Sequence, residues 1–155
     1  WQGDEKTFSW LVQRTETTSS EQDRLNCLRA MGCFSRPGLI EKALDYTLHQ
    51  VPDKNKFVPV AQMARNPEAP ALLWDWYTAG RQMLETIHPI IHERMITALV
   101  PVCGLLAPDA VTDFFHKRLK ENPPAADAIG MALEKLAVNL EFRRQAAASF
   151  SGSLP

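Results

Sequence analysis

The chain is 155 residues long, 45% hydrophobic and 23% charged, which is enough for one ordinary core and so for one domain. Its formal net charge of −1, with both signs mixed along the chain, leaves no electrostatic footprint for nucleic acid or an anionic membrane. The three cysteines (Cys27, Cys33, Cys103) are odd in number and match no metal or redox spacing, so they read as reduced thiols in a cytoplasmic chain. The polar start WQGDEKTF is unlike a signal peptide, and no uninterrupted apolar run reaches membrane-spanning length. A first residue other than Met suggests processing, or a piece of a longer protein.

A first helix is predicted from Asp4 to about Thr15, burying Phe8, Leu11 and Val12, with Asp4 and Glu5 at the positive end of its dipole. The polar TETTSS turn (Thr15–Ser20) follows. Ser20 then caps a second helix carrying Leu25, Leu28 and Met31, which Gly32 stops in the usual C′ role. Ser35-Arg36-Pro37 opens a third helix through Leu39, Ile40, Ala43, Leu44, Thr47 and Leu48, broken by Val51-Pro52-Asp53. The fourth spans about Lys54–Arg65, with Phe57, Val60 and Ala64 inward and Pro59 tolerated near its first turn. Asn66 and Pro67 begin the fifth, which runs to Leu84. Trp74 and Trp76 lie two apart and cannot share one face, so this helix is covered from more than one side.

His88-Pro89 leads into a sixth helix with an apolar stripe of Ile91, Met95, Leu99, Val102, Cys103 and Leu106. Ile90, Ile96, Val100 and Leu105 widen it, so the helix is either central or faces something outside the chain. Pro101 predicts a kink. Ala107-Pro108-Asp109 starts a seventh helix burying Val111, Phe114, Phe115 and Leu119. Asn122-Pro123-Pro124 restarts an eighth, through Ile129, Leu133, Leu136 and Leu140. After Ala148 the pattern is lost, giving one domain over residues 1–148 and a frayed tail over 149–155. The aromatic residues Phe8, Trp10, Phe57, Trp74, Trp76, Phe114 and Phe115 read as core. No stretch alternates as a strand does, so the predicted class is all-α.

The second members of successive helix pairs begin near residues 20, 54, 89 and 124, steps of about 34, 35 and 35. A near-constant period of this size marks an α-α superhelix of about four HEAT-like hairpins. No tetratricopeptide signature accompanies it. Such arrays offer a concave surface, usually lined by one helix of each pair.

Chemistry-bearing patterns are sparse. His88-Pro-Ile-Ile-His92-Glu93 sets two histidines four apart, but Pro89 stands where H-E-x-x-H needs its glutamate, and it places His88 at the helix start. The pair reads as capping or surface histidines, and no metal ligand or catalytic residue is assigned. His49 and His116 suit the last turns of their helices. No G-x-S-x-G, phosphate-cradling loop or dinucleotide fingerprint occurs. The scattered arginines Arg14, Arg24, Arg29, Arg36, Arg143 and Arg144 fit solvated helix faces.

Several segments in order carry a resemblance: FSWLVQR (Phe8–Arg14), Leu28-Arg-Ala-Met-Gly32, Glu41-Lys-Ala-Leu-Asp45-Tyr-Thr-Leu48, Asn66-Pro-Glu-Ala-Pro70, Trp74-Asp-Trp-Tyr77 and Leu133-Glu-Lys-Leu-Ala-Val-Asn139. Together they resemble the C-terminal helical, endoplasmic-reticulum-aminopeptidase-like domain of M1-family zinc aminopeptidases of the aminopeptidase N type. Ala69-Pro70 and Gly80-Arg81 depart from that family's Gly-Arg and Asn-Trp.

The resemblance implies a division of labour. Zinc, the H-E-x-x-H site and the motif binding the substrate's N-terminus belong to a catalytic domain of the same parent chain. The helical domain curves over that site, closes a chamber and limits how peptides enter and lie. This fragment by itself is expected to be inactive and to hold no cofactor. Its implied partners are the parent's catalytic domain and peptide substrate, with no nucleic acid and no membrane. A peptide's C-terminal carboxylate suits helix N-termini with cations nearby, which makes Lys54 and Lys56 at the fourth helix's start candidates for peptide binding, with Arg65 at its far end. A free-standing HEAT-like scaffold binding a protein partner is the alternative. A hydrolase built on His88, His92 and Glu93 is the remotest reading.

Overall fold

Local caps and prolines set where each helix begins. The computed structural model describes residues 3–151, and every regular element among them is helical: α1 (Glu5–Thr17), α2 (Glu21–Met31), α3 (Pro37–His49), α4 (Phe57–Met63), α5 (Pro70–Leu84), α6 (Pro89–Leu106), α7 (Pro108–Lys120) and α8 (Ala126–Ser151). Asp4 Oδ1 accepts the Thr7 N–H at 2.8 Å and Ser20 Oγ accepts that of Asp23 at 3.2 Å, each satisfying a free donor of a first turn. Helices α3, α5, α6 and α7 each open on a proline, whose missing N–H costs nothing there.

Consecutive helices pair as α1–α2, α3–α4, α5–α6 and α7–α8. The second members contact one another in order, α2 to α4 to α6 to α8, and the first members α1, α3 and α5 form the other layer. Ring contacts and an ion pair then join α5 to α7. This is a two-layer stack of four hairpins, an all-α superhelical arrangement. The period is visible in the bonds between hairpins: Asn66 Nδ2 donates to the Gly32 carbonyl and Asn55 Nδ2 to the Glu21 carboxylate, and each pair is 34 residues apart in sequence.

Helix α6 is central, packing against α4, α5, α7 and α8. Its Met95, Ile96, Leu99 and Val100 are fully buried, so the wide stripe is covered largely from within the chain. The helix is long and apolar enough on average to cross a membrane, and four packed neighbours account for that composition. It remains one helix through Pro101.

Several expectations need correction. Gly32 does cap α2, but with φ −74°, not in the left-handed region. It is small because a Cβ there would lie 2.7 Å from Gln62 Cβ and 2.9 Å from the Pro59 carbonyl, where α2 and α4 meet. Helix α5 starts at Pro70, and Asn66 is not its N-cap. Asn66 instead folds a turn, accepting from Glu68 N at 3.1 Å and donating to the Phe34 carbonyl at 2.6 Å. Lys54 lies in a separate 3-10 turn, Asp53–Asn55, and α4 begins only at Phe57. Trp10 is 58% exposed rather than core, because α1 ends the stack and packs chiefly on α2 and α3. Helix α8 continues to Ser151, past the expected fraying point; the rest of the predicted tail lies outside the described residues.

Candidate functional site

A cleft of about 260 Å³ opens where the third hairpin meets the fourth. Its wall is largely apolar, with Ile87, Pro89, Phe115, Pro123, Pro124 and Ile129 among the lining residues. Tyr77, His92, Glu85 and Arg118 supply the polar groups.

The inner wall follows from helical spacing. Leu73, Tyr77 and Leu84 recur along the buried face of α5, and His92, Met95, Ile96 and Leu99 along that of α6. Two polar side chains therefore arrive on buried stripes and need partners. They find each other: Tyr77 Oη lies 3.0 Å from His92 Nε2. With the phenol as donor, His92 is the neutral imidazole whose Nε2 accepts and whose Nδ1 holds the proton. No described protein group meets that Nδ1.

Burial holds the His92 imidazole below its ordinary value, against the pull of Glu85 and with a smaller push from Arg118. Burial likewise pushes the Tyr77 phenol upward, so both groups are neutral around pH 7. An aromatic cluster fixes their position. Trp74 meets Phe114 edge-on at 5.3 Å, and Tyr77 lies 5.8 Å from Phe115 and 6.0 Å from His92, with the Tyr77 and His92 rings nearly parallel.

One edge of the cleft is ionic. Arg118 Nη2 sits 2.7 Å from Glu85 Oε1, its Nη1 pairs with Glu121, and Arg81 approaches Glu85 at 3.5 Å. The Arg118 side chain is only 15% exposed, so its guanidinium is held in place between two carboxylates. The arrangement can hold an apolar group and offer a hydrogen bond beside it.

The residues singled out in the sequence lie elsewhere. Lys54 and Arg65 are exposed, and Lys54 Nζ is 3.5 Å from Glu21. Lys56 is buried and reaches into the end of α3, donating to the carbonyls of Leu48 at 2.7 Å, Val51 at 2.8 Å and Thr47 at 3.3 Å. Its ammonium is occupied by the fold and is not available to a peptide. The fourth helix thus brings no lysine pair together. His88 and His92 are not paired either: His88 caps α6, accepting the Ile90 N–H at 3.3 Å, while His92 turns inward to Tyr77. Among the described residues no group of three His, Cys, Asp or Glu side chains is placed to hold a metal.

Sequence alone places Trp74 and Trp76 in the core but misses the cleft. One signal was available, since Tyr77 and His92 both fall on apolar stripes. The pairing of Glu85 with Arg118 had none, because it depends on how α7 docks.

Stacked hairpins in two layers with a cleft between hairpins define an all-helical superhelical domain. Residues 1–138 match the model of the ERAP1-like C-terminal domain, and the chain belongs to that family, the C-terminal domain of M1-type aminopeptidases. No curated protein matches the chain at a significant level.

Proposed function

We propose that this domain caps the substrate chamber of an M1-type zinc aminopeptidase and helps position peptides for removal of their N-terminal residues. The zinc and the bond-breaking groups then belong to a catalytic domain of the same parent chain, which is this domain's first partner; peptide substrate is the second. The observation that carries the reading is the family match over residues 1–138.

The cleft gives that reading a physical seat. A mostly apolar wall with a neutral Tyr77–His92 pair suits an apolar peptide side chain with a carbonyl beside it. Lys54 and Arg65, both exposed, stay in the proposal as cations that meet a peptide's carboxylate; Lys56 leaves it. A cytoplasmic setting belongs to the same proposal, supported by three free thiols, of which Cys27 and Cys103 are buried.

The test uses the parent enzyme with two substrates, a long peptide and a single-residue anilide that cannot reach this domain. His92→Phe, which removes the unmet Nδ1–H, is expected to raise KM for the peptide about fivefold, roughly one lost hydrogen bond, and to leave the anilide unchanged. Equal effects on both substrates, or none on either, would falsify the positioning role.

A further inference from the structure

A second surface lies on the solvent side of the first-member layer, away from the cleft. Between α3 and α5 runs an open groove of about 340 Å³. Leu44, Leu48, Leu72 and Trp76 make its apolar floor. Three exposed carboxylates stand around it, Glu41 and Asp45 from α3 and Asp75 from α5.

These carboxylates differ from their neighbours on α1 and α2. Glu5 is held by Lys42 at 2.7 Å and Asp23 by Arg14 at 2.6 Å. Glu41 and Asp75 have no cation within ion-pair distance among the described residues, and Asp45 has only His49 at 3.5 Å. Trp76 on the floor keeps its indole N–H buried, without a hydrogen-bond acceptor. The surface also continues across α3. A second groove, of about 540 Å³ between α1 and α3, is lined by Phe8, Val12 and Tyr46, and shares Glu41 and Asp45 with the first.

We infer that the α3–α5 groove is a docking site for a cationic amphipathic peptide segment, with Leu-type side chains on the floor and Lys or Arg on the three carboxylates. Charge complementarity selects this occupant. An anionic segment would meet three like charges, and a polar one would leave the floor uncovered.

The test is fluorescence anisotropy on the 155-residue chain with a labelled peptide carrying Leu and Lys in helical register. Two controls replace every Lys by Glu, or every Leu by Ser. The Leu/Lys peptide is expected to bind, to weaken as salt rises, and to outbind both controls at least about tenfold. The combined variant Glu41→Gln, Asp45→Asn, Asp75→Asn should weaken binding about tenfold or more, and Ala79→Arg should abolish it by placing bulk and positive charge in the groove. All four positions are exposed, so unchanged circular dichroism and melting are expected and keep the comparison clean. Absence of binding by the Leu/Lys peptide, equal binding of either control, or unchanged affinity in the triple variant overturns the inference.

Discussion

The ammonium of Lys56 does for α3 what a C-terminal cap does for other helices. Three carbonyls at the end of α3 and in the turn beyond lack helical donors, and a single buried Nζ meets them. Lys56→Met keeps the aliphatic length and removes the donors, so it should destabilise the fold by about 2–4 kcal/mol. Lys54→Met, at an exposed position, should stay within about 0.5 kcal/mol. Urea unfolding of the two variants checks this, and similar losses would show that the carbonyls do not depend on Lys56.

At the same scale, His92 makes stability depend on pH. Burial holds its folded pKa below the ordinary 6.5, so below that pH the unfolded chain takes up a proton that the folded chain refuses. Stability is therefore complete above pH 6.5 and falls as pH drops beneath it, by at most about 1.4 kcal/mol per pH unit for one proton. Asp4, Glu21 and Glu141 are held below the usual carboxylate range by hydrogen bonds, so their contributions fade only at more acid pH. Unfolding midpoints measured between about pH 7.5 and 5.5 should drop for the native chain and stay nearly flat for His92→Gln. A parallel drop in both would assign the acid sensitivity to other groups.

Between elements, glycines set the approach of neighbours in one layer. At Gly32 an added Cβ meets Gln62 Cβ and a backbone carbonyl, neither of which a rotamer change can move. At Gly104 it meets the methyl groups of Leu136, the nearest at 2.3 Å, on the facing helix α8. Both alanine variants should destabilise, Gly32→Ala by about 2 kcal/mol. They differ in rescue: Leu136→Val should recover part of the loss at Gly104, and Gln62→Ala should recover almost none at Gly32 because its Cβ remains. Thermal melts of the two double variants give the answer. The expected C′ role for Gly32 rested on its place after Met31, a local signal. Its actual constraint comes from α4, some 30 residues later, which no local signal reports.

Across the whole molecule, helix existence was readable because it rests on near-neighbour chemistry. Asp4 and Ser20 cap their helices, and most residues of the expected apolar stripes lie against a neighbour, with Trp10, Ile90 and Leu106 exposed. The 34-residue period was readable for a related reason, since equivalent turns bond to one another through Asn55 and Asn66. Helix starts near prolines were less so. Asn66-Pro67 and Ala69-Pro70 offer competing starts for α5, and the choice went to Pro70 because Asn66 is tied to the carbonyls of Gly32 and Phe34.

The sequence by itself determined the helical class, the four-hairpin period and the family, because periodicity, caps and ordered motifs act over short separations. Only the tertiary structure decided what the polar side chains do. It made Lys56 a cap, paired His92 with Tyr77 instead of His88, and set Arg118 against Glu85. Each of these turns on which buried group finds a partner once the layers close, and a buried donor or charge takes the partner that packing brings, however far along the chain it lies.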